Sequence, residues 1–186
     1  MRRFSFRPAL TLRGRKFKGP RGWAGKPLHP PLTDIPVAAY ILAAAFDVIS
    51  LLGRDNGWSR DFFRAGTFVF IGGATVSVFA ALTGFWDWWK SSEKGTQARR
   101  TINAHASIMV LVTVLALVDI GLRLADYDRT YPSAVIWVLS VVIALLVSLG
   151  SVYGGAMVYE YGFNVETAGD HPAWHASETD VFHGRH

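Results

Sequence analysis

The chain has 186 residues, 19 Lys and Arg against 14 Asp and Glu, and no cysteine. The missing cysteine excludes a disulfide scaffold, a zinc–thiolate centre, a protein-held iron–sulfur cluster and covalently attached c-type haem. Charged residues are 18% of the chain, below the roughly 25% of a soluble domain, and 31 of the 33 lie outside four apolar stretches.

The first segment, 1–33, is a basic arm. Nine Lys and Arg precede the first apolar stretch, and no acid occurs before Asp34. Phe4, Phe6, Leu10, Leu12 and Phe17 alternate with them, which suits a segment lying on an anionic membrane surface. The net charge of +5 is therefore read as a membrane flank, not as a nucleic-acid footprint.

Four apolar stretches follow, at 35–53, 65–86, 102–122 and 133–158. Together they hold no Lys or Arg, two acids (Asp47 and Asp119) and one His (His105). A spanning helix needs about 20 mostly apolar residues, so each stretch predicts one. The expected fold is an all-α integral membrane protein. It comprises a four-helix transmembrane bundle over 34–158, the basic arm, and an acidic, His-bearing tail over 159–186. With four spans, 14 Lys and Arg fall on the side of both termini and five on the other. The positive-inside rule then places both termini in the cytoplasm.

Spans two and four carry small residues four apart: Gly73 and Ser77, Ala80 and Gly84, Gly150 and Gly154. Such faces let helix backbones approach closely, since lipid offers no hydrophobic drive for association. They predict packing within the bundle, or a face kept for a partner or pigment. Trp58, Trp86, Trp88, Trp89, Tyr159 and Tyr161 sit at span edges, as interfacial belts do.

Ionisable groups within a membrane are costly and mark function by default. At the end bearing the termini lie His29, Asp34, Asp87, Asn103 and His105; toward the other end lie Asp47 and Asp119. His105 and Asp119 share a face of span three, on the order of 21 Å apart along the axis. Three expectations follow. In the first, these groups pair internally: Asp119 with Arg123 four residues on, Asp47 with Arg54 or Arg64, and His105 with Asp34 or Asp87. In the second, one b-type haem lies between His29 and His105, although two prolines after His29 place that residue outside a helix. In the third, a quinone or proton site uses His105, Asp34 and Asp87. In the tail, His171 and His175 have the four-residue spacing of a helical metal pair, but Pro172 intervenes, so they are weak ligand candidates. No P-loop, nucleotide fingerprint or catalytic triad pattern is present.

Three segments together carry a resemblance. They are Gly25-Lys26-Pro27-Leu28-His29-Pro30-Pro31-Leu32-Thr33-Asp34-Ile35-Pro36 running on to Asp47, Gly84-Phe85-Trp86-Asp87-Trp88 followed by Arg100 and His105, and Gly154-Gly155-Ala156 through Val165. Over residues 22–166 the chain resembles the bacterial membrane family called domain of unknown function 2231. The resemblance implies a four-helix protein of the bacterial inner membrane, from a family whose members occur fused to, or beside, Rieske-type iron–sulfur domains. Members often have a His where this chain has Lys26, and another where it has Ala156.

Taken together, these features predict a non-catalytic accessory subunit of a respiratory or photosynthetic electron-transfer complex, docked on other membrane subunits through arm and tail. The alternatives are a redox protein holding a b-type haem or quinone near His29 and His105, and a small transporter or channel using Asp47 and Asp119.

Overall fold

The computed structural model describes Pro20 and residues 27–54 and 56–165. Four helices account for most of them: α1 (His29–Leu52), α2 (Ser59–Ser91), α3 (Gln97–Ala125) and α4 (Ala134–Tyr159). The shortest has 24 residues, about 36 Å at 1.5 Å per residue, so each is long enough to cross a hydrocarbon core of roughly 30 Å. All four are also apolar enough to do so.

The first three helices run longer than their apolar stretches, while α4 matches its own in length. α1 begins at His29 because its two prolines fall in the first turn, where a missing N–H costs no intrahelical bond. The expectation that they hold His29 outside a helix is thus corrected. Pro36, further in, is buried against Gly73 of α2; a methyl group on that glycine would lie 3.6 Å from the proline Cα. α3 extends past Leu122 to Ala125, which brings Arg123 into the bundle. Thr96 starts α3 by accepting a bond from the Arg99 backbone N–H at 3.1 Å.

The helices form a ring in which α1 packs on α2 and α4, and α3 packs on α4 and α2. α1 and α3 are therefore diagonal, as are α2 and α4. Lipid-facing positions are large and apolar (Phe68, Leu82, Leu117, Leu145 and Val152 among them). The centre is filled by Tyr40, Ala43, Phe70, Val112, Ala116, Ile143 and Val147.

The two hairpins repeat one another in parallel. Pro36, Tyr40, Ala43 and Asp47 are buried on α1; Val112, Ala116, Asp119 and Arg123, each 76 positions on, are buried on α3. Gly66, Phe70, Gly73, Ala80 and Asp87 on α2 correspond to Ile136, Ser140, Ile143, Gly150 and Met157 on α4, with a constant step of 70 positions. Both hairpins start at the same end of the bundle, so the axis relating them runs along the helices.

Candidate functional site

Two polar centres lie on this axis, one toward each end. At the end away from the termini, Asp47 of α1, Arg123 and Asp119 of α3, and Ser140 of α4 are all fully buried. The Arg123 guanidinium grips both oxygens of Asp47, with Nη1 donating to Oδ1 at 3.1 Å and Nη2 to Oδ2. Its Nε donates to Asp119 Oδ2 at 2.7 Å, and Ser140 Oγ donates to Asp47 Oδ2 at 2.6 Å. The guanidinium also lies over the Phe70 ring, 4.9 Å from its centroid. Fork-to-carboxylate geometry suits Arg far better than Lys. Asp119 Oδ1 has no partner among the described residues, but the other charged atoms of the cluster are bonded, which is what allows charge in a bundle core where desolvation is costly.

The expected Asp119–Arg123 pair is present; the expected partners of Asp47 are corrected. Arg64 pairs with Asp128 at 2.9 Å, and Arg54 lies over the Tyr131 ring. Arg123 takes Asp47 because it stands 18 residues after His105, five full turns at 100° per residue, and so returns to the same inward face. Extending the helical-face count one turn past Leu122 would have found it.

At the end bearing the termini, His29 and His105 face each other from diagonal helices, with ring centroids 6.4 Å apart and planes at 88°. Each imidazole is bonded across its own hairpin. His29 Nδ1 lies 2.8 Å from the carbonyl oxygen of Ala80 on α2, and His105 Nδ1 lies 2.8 Å from that of Gly150 on α4. A carbonyl only accepts, so both Nδ1 atoms carry the proton, and neither Nε2 has a partner among the described residues. Four residues on, each ring rests on a glycine. A methyl group on Gly84 would lie 2.7 Å from Cε1 of His29, and one on Gly154 3.5 Å from Cε1 of His105. The expected pairing of His105 with Asp34 or Asp87 is thereby corrected: its hairpin partner lies close enough for the ring to reach backbone first.

Both histidines line a cavity of about 1390 Å³ at this end, together with Asp34, Asp87, Asn103, Gly84 and Gly154. Asp34 is exposed, while Asp87 is buried and its Oδ1 has no partner among the described residues. Asn103 Oδ1 accepts from Trp88 Nε1 at 2.8 Å, which turns that tryptophan from a simple belt residue into a wall of the cavity. Asp47 and Asp119 do not line it.

The small-residue faces divide in two. Gly73 packs against Ala39, Gly150 against Met109, and Ser77 accepts from the Tyr40 hydroxyl at 3.4 Å. Gly84 instead makes room for the His29 ring, and Gly154 adjoins that of His105. His171 and His175, most of the arm and most of the tail lie outside the described residues.

No curated protein and no solved structure matches the chain. A family model described as predicted membrane protein DUF2231 matches residues 25–167, a stretch that takes in all four helices and both polar centres. The chain belongs to the DUF2231 family of membrane proteins.

Proposed function

We propose that this membrane protein is an electron carrier holding one b-type haem between His29 and His105. The observation that carries this reading is the paired arrangement of the two imidazoles. Each donates Nδ1–H to a carbonyl of the neighbouring helix, neither Nε2 has a partner among the described residues, and their centroids stand 6.4 Å apart. That separation accommodates one metal ion between two nitrogens, at about 2 Å from each, plus the half-widths of two five-membered rings.

The residues fit the group in three further respects. Backbone acceptors behind ligating imidazoles fix ring orientation and strengthen the donor nitrogen. Gly84 leaves space where a side chain would press on the His29 ring. The walls are largely apolar, including Val37, Ile102, Met109 and Val110, which keeps water from the centre and helps set its potential. The haem supplies one-electron chemistry at its iron; the chain positions it and excludes solvent. Trp88, which lines the cavity, is held in place by Arg99, stacked 4.0 Å from its ring.

Such a carrier suits a subunit of a larger electron-transfer assembly, in which the arm and tail dock on neighbours. The transporter reading gains no support, because Asp47 and Asp119 are held by Arg123 away from the cavity.

The test is the absorption spectrum of protein purified in mild detergent. We expect a Soret band at one haem per chain, lost in both His29→Ala and His105→Ala while helical circular dichroism is retained. A colourless protein that takes up no added haem overturns the proposal.

A further inference from the structure

The two imidazoles occupy equivalent positions in the repeat, but the carbonyls behind them are not equally occupied. His105 Nδ1 donates to Gly150 C=O at 2.8 Å, and among the described residues no other side chain reaches that oxygen. His29 Nδ1 donates to Ala80 C=O, also at 2.8 Å, but there a second side chain competes. The Thr83 hydroxyl donates to the Ala80 oxygen at 3.0 Å, and Thr83 Oγ1 stands 3.5 Å from His29 Nδ1. On α4 the position equivalent to Thr83 is Tyr153, whose hydroxyl makes no such bond among the described residues.

A hydroxyl on a membrane helix ordinarily satisfies itself on the carbonyl one turn back. Thr67, Thr75, Thr101 and Thr113 each do so, on the carbonyl four residues earlier. Thr83 reaches that carbonyl too, Phe79 C=O at 2.9 Å, so its single proton is divided between Phe79 and Ala80. The contact with Ala80 is therefore not needed to satisfy the hydroxyl. Ala80 C=O has two lone pairs. The helix N–H four residues on takes one, and His29 and Thr83 must share the other. Gly150 C=O gives its second lone pair to His105 undivided.

The acceptor behind a ligating imidazole orients the ring and raises the basicity of the opposite nitrogen. We infer that Thr83 is a positioning residue that weakens the hydrogen bond behind His29, making His29 the poorer and His105 the better donor nitrogen of the facing pair. A nearly symmetric scaffold thus presents two unequal ligands. The consequence for haem rests on the electron-carrier reading above; the inequality of the two hydrogen bonds does not.

The experiment has a haem-free and a haem-bound arm, both on the full chain in lipid nanodiscs. In the haem-free protein, proton–nitrogen magnetic resonance reads the two imidazole Nδ1–H signals, assigned by their loss in His29→Ala and His105→Ala. A stronger hydrogen bond moves such a proton downfield. Thr83→Val keeps the shape of the side chain and removes the hydroxyl, so it should move the His29 signal downfield and leave that of His105 in place. Thr83→Ser keeps the hydroxyl and should hold the parent position. In the haem-bound protein a richer donor favours the oxidised iron, so Thr83→Val should lower the reduction potential and Thr83→Ser should not. A threonine with only a structural role would move both signals or neither. A chain that takes up no haem yet shows the expected signal shift defeats the electron-carrier reading and supports the unequal bonds. A His29 signal unmoved in Thr83→Val, or moved equally with that of His105, overturns the inference. So does an unchanged potential in haem-bound Thr83→Val.

Discussion

Asp47 and Arg123 occupy the same position in the two hairpins, and they bind each other across the axis that relates those hairpins. Equivalent positions on α1 and α3 meet at the axis; the same holds for His29 and His105. The bundle thus concentrates its polar groups on one line, with Tyr40, Phe70, Val112 and Val147 between the two centres.

Removal of Arg123 leaves Asp47 and Asp119 buried without a counter-charge. Arg123→Leu is therefore expected to destabilise the protein by about 3–5 kcal/mol, the usual cost of breaking a buried ion pair from one side. Arg123→Lys should recover only part of this, because an ammonium cannot reproduce the fork on Asp47. Ser140→Ala, which deletes one bond to a charged acceptor, should cost about 1.5–3 kcal/mol. Denaturant unfolding in detergent measures all three; an Arg123→Leu protein as stable as the parent would show that the pair contributes nothing to the fold.

The two histidine-bearing glycines differ in clearance, which gives a contrast. Gly84→Ala places a methyl group 2.7 Å from the His29 ring and must displace it from Ala80, whereas Gly154→Ala meets the His105 ring at an ordinary 3.5 Å. We expect Gly84→Ala to lower haem content severalfold and Gly154→Ala to leave it near the parent level. Equal haem content in both variants contradicts the role given to Gly84.

Neighbouring glycines on α2 make a second contrast. A methyl group at Gly73 would stand 2.5 Å from Cβ of Ala39, while nothing lies within 4 Å of one at Gly72. Gly73→Ala is expected to cost about 1–3 kcal/mol through overpacking. Gly72→Ala should be neutral, or stabilising by up to about 1 kcal/mol through helix propensity. Thermal unfolding of the pair decides it, and the same loss in both would refute the close approach of α1 and α2.

The 88° angle between the His29 and His105 planes has a spectroscopic consequence. Were the proposed haem held by both rings as they stand, perpendicular imidazoles would leave two iron d orbitals nearly degenerate, and the oxidised protein should give a strongly anisotropic low-spin electron paramagnetic resonance signal with a large g-maximum. A compact rhombic signal would mean parallel rings.

The four helices are legible because apolar stretches of 19–26 residues have few other uses. Their ends were not, since the apolar signal stops at Leu122 while the helix continues, and Arg123 was counted with the flank. Prolines after His29 read as a break, yet at a helix start they cost nothing. The histidine pair was visible as two residues entering at one end. Their hydrogen bonds were not, because Ala80 and Gly150 contribute only backbone, and no side-chain pattern announces a carbonyl.

The pairing of unlike charges at equivalent positions also determines which hairpin can accept which. Two copies of the first hairpin, assembled about the same axis, would set Asp47 against Asp47; two copies of the second would set Arg123 against Arg123. The first carries two carboxylates with no cation between them, in a medium that cannot screen them. The second sets two guanidiniums side by side, each held by the Asp119 of its own helix but with no carboxylate across the axis to grip. Only the mixed combination gives Asp47 a cation and the Arg123 fork a second carboxylate, so a near-symmetric scaffold favours one partner for each half.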